Sequence, residues 1–330
     1  MRLLPVSSAS AALVLALLPT AALAAEGPGA SSFTISDPRI KESSGLAASR
    51  IHPGVYWTHN DSDDGPYVYA VDSATGRTVA RVTLTGIGKP RDVEAISLGP
   101  DGQLYVGDIG DNRDGTWDHV WIYRFPEPKQ LADTTVKAEQ FTVRYADGPR
   151  NAEALMVHPV TGRVYIASKN ESKGGLYEGP EQLSASGTNV FRRVADVPWV
   201  TDGAFSPDGS TLALRGYFSA RTYPWKDGRP QGEGERVNAP WQGQAESVTY
   251  TADGSALMFG SEGADSRVVA VPLSTAAPSA SASPQPGSPS EAAPFPEPPG
   301  SFTKGALVLA VALALVAAAK RLLRRGGSAK

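Results

Sequence analysis

Three glutamates and two hydroxyl residues recur at nearly even intervals in this 330-residue chain. Ser44, Glu94, Glu153, Thr201 and Glu246 are separated by 50, 59, 48 and 45 residues. Oxygen donors without His or Cys suit a hard cation, and a site with room for water suits calcium better than magnesium. The same residues can instead hydrogen-bond the backbone of a neighbouring element, and paired carboxylates also serve glycoside hydrolysis. They cannot simply sit together ionised. At about 6 Å and an effective dielectric near 20, each pair of carboxylates repels by about 2.8 kcal/mol. Three such pairs cost roughly 8 kcal/mol, on the scale of a whole domain's stability. A convergent set must therefore be protonated, splayed into solvent or neutralised by a cation.

The elements that would bring them together are repeated hairpins. "SSGLAASRIHPGVYWTHND" from Ser43, "EAISLGPDGQLYVGDIGDN" from Glu94, "EALMVHPVTGRVYIASKNE" from Glu153, "TDGAFSPDGSTLALRGY" from Thr201 and "ESVTYTADGSALMFGSEG" from Glu246 share one plan. A polar residue opens an apolar strand, a Gly-containing turn follows, and a second strand ends in polar groups. Further strands follow each hairpin, among them "YVYAVD", "VWIYRF", "GGLYEG", "ARTYPW" and "SRVVAVPL". The period is that of four-stranded propeller blades, whose first strands line a central channel. The expected fold is an all-β propeller of five blades, the last completed by the N-terminal strand "SFTISD", Ser32 to Asp37. Six blades would require an unrecognised repeat between Glu94 and Glu153. No sustained helical period runs through this part of the chain.

Second strands end in His59, Asp108, Ser168, Arg215 and Ser261, which places these residues on one rim of the channel. His59 and Asp108 are the candidates for orienting an attacking water, a catalytic role. Asn60, Asp61, Lys169 and Arg215 are the candidates for ligand binding, with Lys169 and Arg215 suited to phosphate. The competing reading is turn chemistry, since Asp, Asn and Gly clusters shape loops. "HNDSDDG" and "GDIGDNRD" lack the EF-hand spacing, and no G-x-S-x-G elbow, H-E-x-x-H or P-loop occurs in the domain. Trp57, Trp117, Trp121, Trp199, Trp225 and Trp241 offer either stacking surface for carbohydrate or flat fillers between sheets.

The succession Ser, Glu, Glu, hydroxyl, Glu, with "ESSGL" and "VEAI...LYVGDIG", resembles the central calcium site of the five-bladed calcium-activated nucleotidase (apyrase) family. The resemblance implies a calcium ion held by Ser44, Glu94, Glu153 and Glu246. Thr201 departs from the pattern by a methyl group, and Asp202 stands beside it as a competitor. It also implies a small phosphate or ester substrate. The rest of the domain is similar to bacterial propellers of the broad WD40-like and NHL-like kind, without a blade-by-blade Trp-Asp signature.

The flanks have a different composition. Arg2, the apolar run Ala11 to Leu18 and Ala22-Leu23-Ala24 read as a signal peptide over residues 1–25. A Pro, Ser and Ala-rich stalk is expected over 274–303, a transmembrane helix over 304–323 and a basic cytoplasmic tail over 324–330. The propeller, residues 26–273, would then stand outside the cell on a single-pass anchor. Seven basic residues lie in the signal, anchor and tail, so a formal charge of −3 becomes about −10 for the exported part. Such a surface is a poor nucleic-acid binder and suits cations or neutral ligands. With no cysteine in the chain, disulfides and thiolate zinc sites are excluded. Two functions remain: binding or hydrolysis of a small polar ligand at the channel mouth, or a non-catalytic module for a surface protein or glycan.

Overall fold

The structure, a computed structural model, describes residues 30–62, 64–113 and 115–273. The signal segment, stalk, membrane helix and tail expected from the sequence lie outside the described residues. The chain divides into two units, Met1–Thr275 and Ala276–Lys330, and every described residue belongs to the first. Among the described residues no helix is long and apolar enough to cross a membrane.

This first unit is all-β and propeller-like. Its innermost strands are Ser43–Ala48, Val93–Leu98, Ala152–Val157, Asp202–Phe205 and Ala245–Tyr250. Each packs beside the next, and the last returns to the first, so the five form a closed circuit. Every inner strand is followed by an antiparallel hairpin partner, as Val93–Leu98 is by Gln103–Asp108 and then Val120–Pro126. The alternation of apolar residues puts both faces of these sheets against neighbours, which explains why strands such as Val55–Asn60 and Ala256–Ser261 are buried throughout.

Hydrophobic clusters fill the spaces between consecutive sheets. Trp57, Val68 and Val82 of the first sheet meet Ile96, Leu104 and Phe125 of the second. Leu46, Tyr56 and Tyr69 close the circuit against Met258 and Val268 of the last. Trp57 is fully buried, and its indole N–H donates to Glu127 at 2.8 Å. Trp225 packs edge-on against Tyr165 and Phe205. These two rings fill space between sheets, whereas Trp241 remains 77% exposed.

The outer edges depart from simple repetition. Phe33–Thr34 pairs antiparallel with Arg267–Pro272, so the last sheet takes its outermost strand from the N-terminal side of the chain. The long interval between Glu94 and Glu153 holds the short strand Thr134–Lys137, which joins the edge of the first sheet in parallel with Thr78–Thr85. Outer strands Glu139–Tyr145 and Thr188–Val197 also pair in parallel, merging two neighbouring sheets into one of eight strands.

Arg215 ties the sheet of Asp202–Phe205 to that of Ala245–Tyr250. It is 1% exposed, and its Nη1 donates to the carbonyls of Ser247 at 2.6 Å and Gly260 at 2.5 Å. Burial pushes its pKa down to about 10, against the pull of Glu246 and Asp202, so it remains charged at neutral pH. Replacing it with an apolar side chain strands two buried carbonyls. Arg215→Met is therefore expected to lower stability by about 3 kcal/mol, read as the shift in urea-unfolding free energy. An unchanged midpoint would show that the inter-sheet bonds contribute nothing net.

Candidate functional site

Four of the five inner hairpins slip register at the positions the sequence singled out. The irregularities fall between Ser43 and Leu46, Val93 and Ala95, Ala152 and Ala154, and Ala245 and Val248. A bulge there re-aims the side chain that a regular strand would send between the sheets. Ser44, Glu94, Glu153 and Glu246 are all buried, at 2%, 4%, 2% and 8% exposure. In the remaining hairpin the paired strand begins only at Asp202, and the Thr201 backbone N–H donates to the Arg215 carbonyl.

The two hydroxyls are donors to the neighbouring inner strand. Ser44 Oγ bonds the Glu94 carbonyl at 2.9 Å and its Oε2 at 3.1 Å. Thr201 Oγ1 bonds the Glu246 carbonyl at 2.9 Å. Asp202, the competitor beside it, accepts from the N–H groups of Gly203 and Val248. Burial holds its pKa well above the usual range despite those bonds.

A cation already serves one member of the expected ring, Glu153. Lys169, on the loop after Val164–Ser168, places Nζ 2.6 Å from Glu153 Oε1 and 5.2 Å from the ring centre of Tyr217. Burial alone would lower its pKa, but Glu153 and Tyr217 outweigh that and raise it. Its charge is felt by Asp92, Glu94, Glu153 and Glu246 alike. Lys169 is therefore an internal counter-ion, committed to a carboxylate rather than free for a phosphate.

Another member, Glu94, is one of three carboxylates gathered together. Asp61, Asp92 and Glu94 each offer an oxygen, and these atoms lie within 4.8 Å of one another. Glycine permits the crowding: a Cβ on Gly110 would sit 2.6 Å from the Asp92 and Glu94 carboxyl groups. Asn112 Nδ2 steadies Asp92 at 3.2 and 3.0 Å. Among the described residues, Oδ1 of Asp61 and Oε2 of Glu246 have no hydrogen-bonding partner. Desolvation comes first in raising every member. Asp61 is pushed to about 9 by burial and then by Asp92, Glu153 to about 7, and Glu246 to about 8 by burial and then by Glu153. Glu94 is raised well above the ordinary range, and Asp92 is raised as well.

The remaining candidates have other duties. Asp108 is fully buried and accepts from the backbone of Arg91 and Asp92 and from Tyr123 Oη, at 3.0, 2.9 and 2.6 Å. It holds the loop that presents Asp92. His59 is 1% exposed, with Nδ1 at 3.1 Å from the Asn60 carbonyl and Nε2 packed against Gly45. Burial drives its pKa down to about 4, so the ring is neutral. Asn60 caps the backbone of Lys41 and Glu42 while donating to Arg39 and Asp64. Asp108 and Asn60 are thus engaged in bonds within the frame, while His59 and Arg215 are buried, and each keeps one nitrogen, Nε2 and Nε, without a hydrogen-bonding partner among the described residues. Asp92, in contrast, joins the cluster although only its neighbour Glu94 was expected there. Its signal was the acid two residues ahead of Glu94 in "DVEAI".

No family model matches the chain, and no curated protein does. Among solved structures, it is similar to the PQQ-bound form of aldose sugar dehydrogenase from Streptomyces coelicolor. The TM-score is 0.44 and identity 14%, over 72% of this chain and 95% of that one. It is also similar to hydrazine synthase from Kuenenia stuttgartiensis, with TM-score 0.38 and identity 13%, over 66% of this chain and 60% of that one. Likeness at this level carries nothing about cofactor or substrate. The resemblance to calcium-activated nucleotidases finds no support beyond its short motifs.

The raised carboxyl groups set a pH dependence. In the unfolded chain they ionise near their ordinary values, whereas in the fold Glu246 and Asp61 retain protons up to about 8 and about 9. Between those limits the folded state binds more protons, so its stabilising share is complete at low pH and is lost as pH rises. In chelator, stability is expected to fall from about pH 5 to about pH 8.5, by up to about 1.4 kcal/mol per pH unit for each titrating group. Glu246→Gln should flatten that slope in urea titrations; an unchanged slope would remove Glu246 from the account.

Proposed function

We propose that this chain is an exported, surface-held β-propeller of five blades that seats a divalent cation at one end of its axial channel. Asp61, Asp92 and Glu94 would hold the ion, and calcium is the ion their chemistry suits. The observation that carries this reading is the approach of three carboxylate oxygens to within 4.8 Å of one another in a largely buried setting. Such a group needs protons or a cation, and Lys169 is engaged with Glu153. The unpartnered Asp61 Oδ1 and the cradle left by Gly110 fit an added ion. Hard oxygen donors with no nitrogen or sulfur among them favour calcium over transition metals.

The channel mouth beside the ion would take a small polar ligand. Binding rather than hydrolysis is the reading favoured by the surroundings of the catalytic candidates. His59 is neutral and turned into the wall, and both oxygens of Asp108 are occupied. The signal, stalk and anchor segments would place this mouth outside the cell, facing small ligands or surface glycans and proteins.

Metal-stripped protein should show a calcium-selective rise in unfolding free energy, about 2.7 kcal/mol at a hundred times the dissociation constant. Asp92→Asn and Glu94→Gln should each abolish the rise, while Glu246→Gln should leave it largely intact. Absence of any cation response in folded protein would sink the cation reading.

A further inference from the structure

We propose that Tyr217, Phe218 and Trp241 form a stacking platform for a neutral oligosaccharide at the rim of the channel. This names a ligand class for the mouth proposed above, but it rests on residues that the cation site does not use.

The platform is built from two separate segments. Phe218 is 64% exposed and Trp241 77% exposed, yet their rings stack on each other at 5.8 Å with planes 28° apart. Tyr217 continues the row, 6.3 Å from Phe218, and meets Trp199 edge-on at 5.3 Å. Large apolar rings left in water are unfavourable for solubility and contribute little to folding. A contiguous, flat aromatic surface of this kind is a binding feature.

Both segments are fixed before any ligand arrives. Gly216 N–H bonds the Ser219 carbonyl at 2.8 Å, closing the turn that carries Tyr217 and Phe218. Gln242, next to Trp241, accepts from Arg215 Nη2 at 2.8 Å and donates to the carbonyls of Arg267 at 2.7 Å and Phe259 at 3.3 Å. Because Arg215 directly precedes Gly216, one buried guanidinium anchors both ring-bearing loops. Held rings lose little freedom on binding.

Charge decides the class of ligand. Tyr217 already faces an ammonium, with Lys169 Nζ 5.2 Å from its ring centre, so an organic cation would meet repulsion there. A phosphorylated ligand would instead meet Asp92, Glu94, Glu153 and Glu246, the groups among which Lys169 is shared. A neutral ligand escapes both penalties. A pyranose ring has an apolar C–H face for Trp241 and Phe218 and carries uncharged hydroxyls at its edge.

The test is isothermal titration calorimetry of the full-length chain with neutral cello-, malto-, manno- and chito-oligosaccharides, alongside spermidine and a mononucleotide. At least one oligosaccharide should bind, and Trp241→Ala and Phe218→Ala should each weaken it about tenfold, with Trp241→Phe recovering much of the loss. These side chains are exposed, so unfolding midpoints should be unchanged. Binding should survive chelator and Asp92→Asn, which separates this proposal from the cation reading. No response to any of these sugars, unaltered affinity in both alanine variants, or stronger binding of spermidine or the nucleotide would overturn it.

Discussion

Carboxylates brought together away from water are the constraint around which the rest of this molecule is arranged. Closing a circuit of inner strands forces equivalent positions toward one axis, and at three of those positions the chain carries glutamate. Bulges turn these side chains out of the sheet interfaces, a lysine supplies one positive charge, and glycine at position 110 makes room for the most crowded pair. Burial then works against ionisation, so protonation and cation occupancy become alternative ways of satisfying the same groups.

Ties between the sheets absorb what this centre demands. Ser44, Thr201 and Asp202 reach from one inner strand to the next, and Arg215 spans two sheets. They attach mainly to backbone atoms, which cannot move aside without breaking a strand. The glutamates are therefore carried by strands tied to one another, while Asp61 and Asp92 stand just beyond strand ends, where Asp108 fixes the segment that carries Asp92.

Much of the architecture could be read from the repeated plan of polar residue, apolar strand, Gly-containing turn and polar end, because strand alternation and turn chemistry are local properties. The short strand Thr134–Lys137 escaped notice because "TTVK" has neither length nor alternation, and its partner Thr78–Thr85 is distant in sequence. In the site, Glu94 and its counterparts were visible as a period. Asp92 was less so, since its place depends on Asp108 capturing the preceding loop. Lys169 looked like a phosphate ligand because its direction is set by Glu153 and Tyr217, which are distant in sequence. Spacing reveals which backbone positions converge, but long side chains choose partners only in the assembled structure.

The joints around the circuit are unequal. Two neighbouring sheets are merged through the parallel pairing of Glu139–Tyr145 with Thr188–Val197, whereas the last sheet receives its outermost strand through only two paired positions, Phe33 with Val268 and Thr34 with Arg267. Thermal breathing will therefore not be spread evenly. The merged half behaves as a stator, and transient opening concentrates at the seam where the two ends of the propeller chain meet, making that seam the natural starting point for amide exchange and for unfolding.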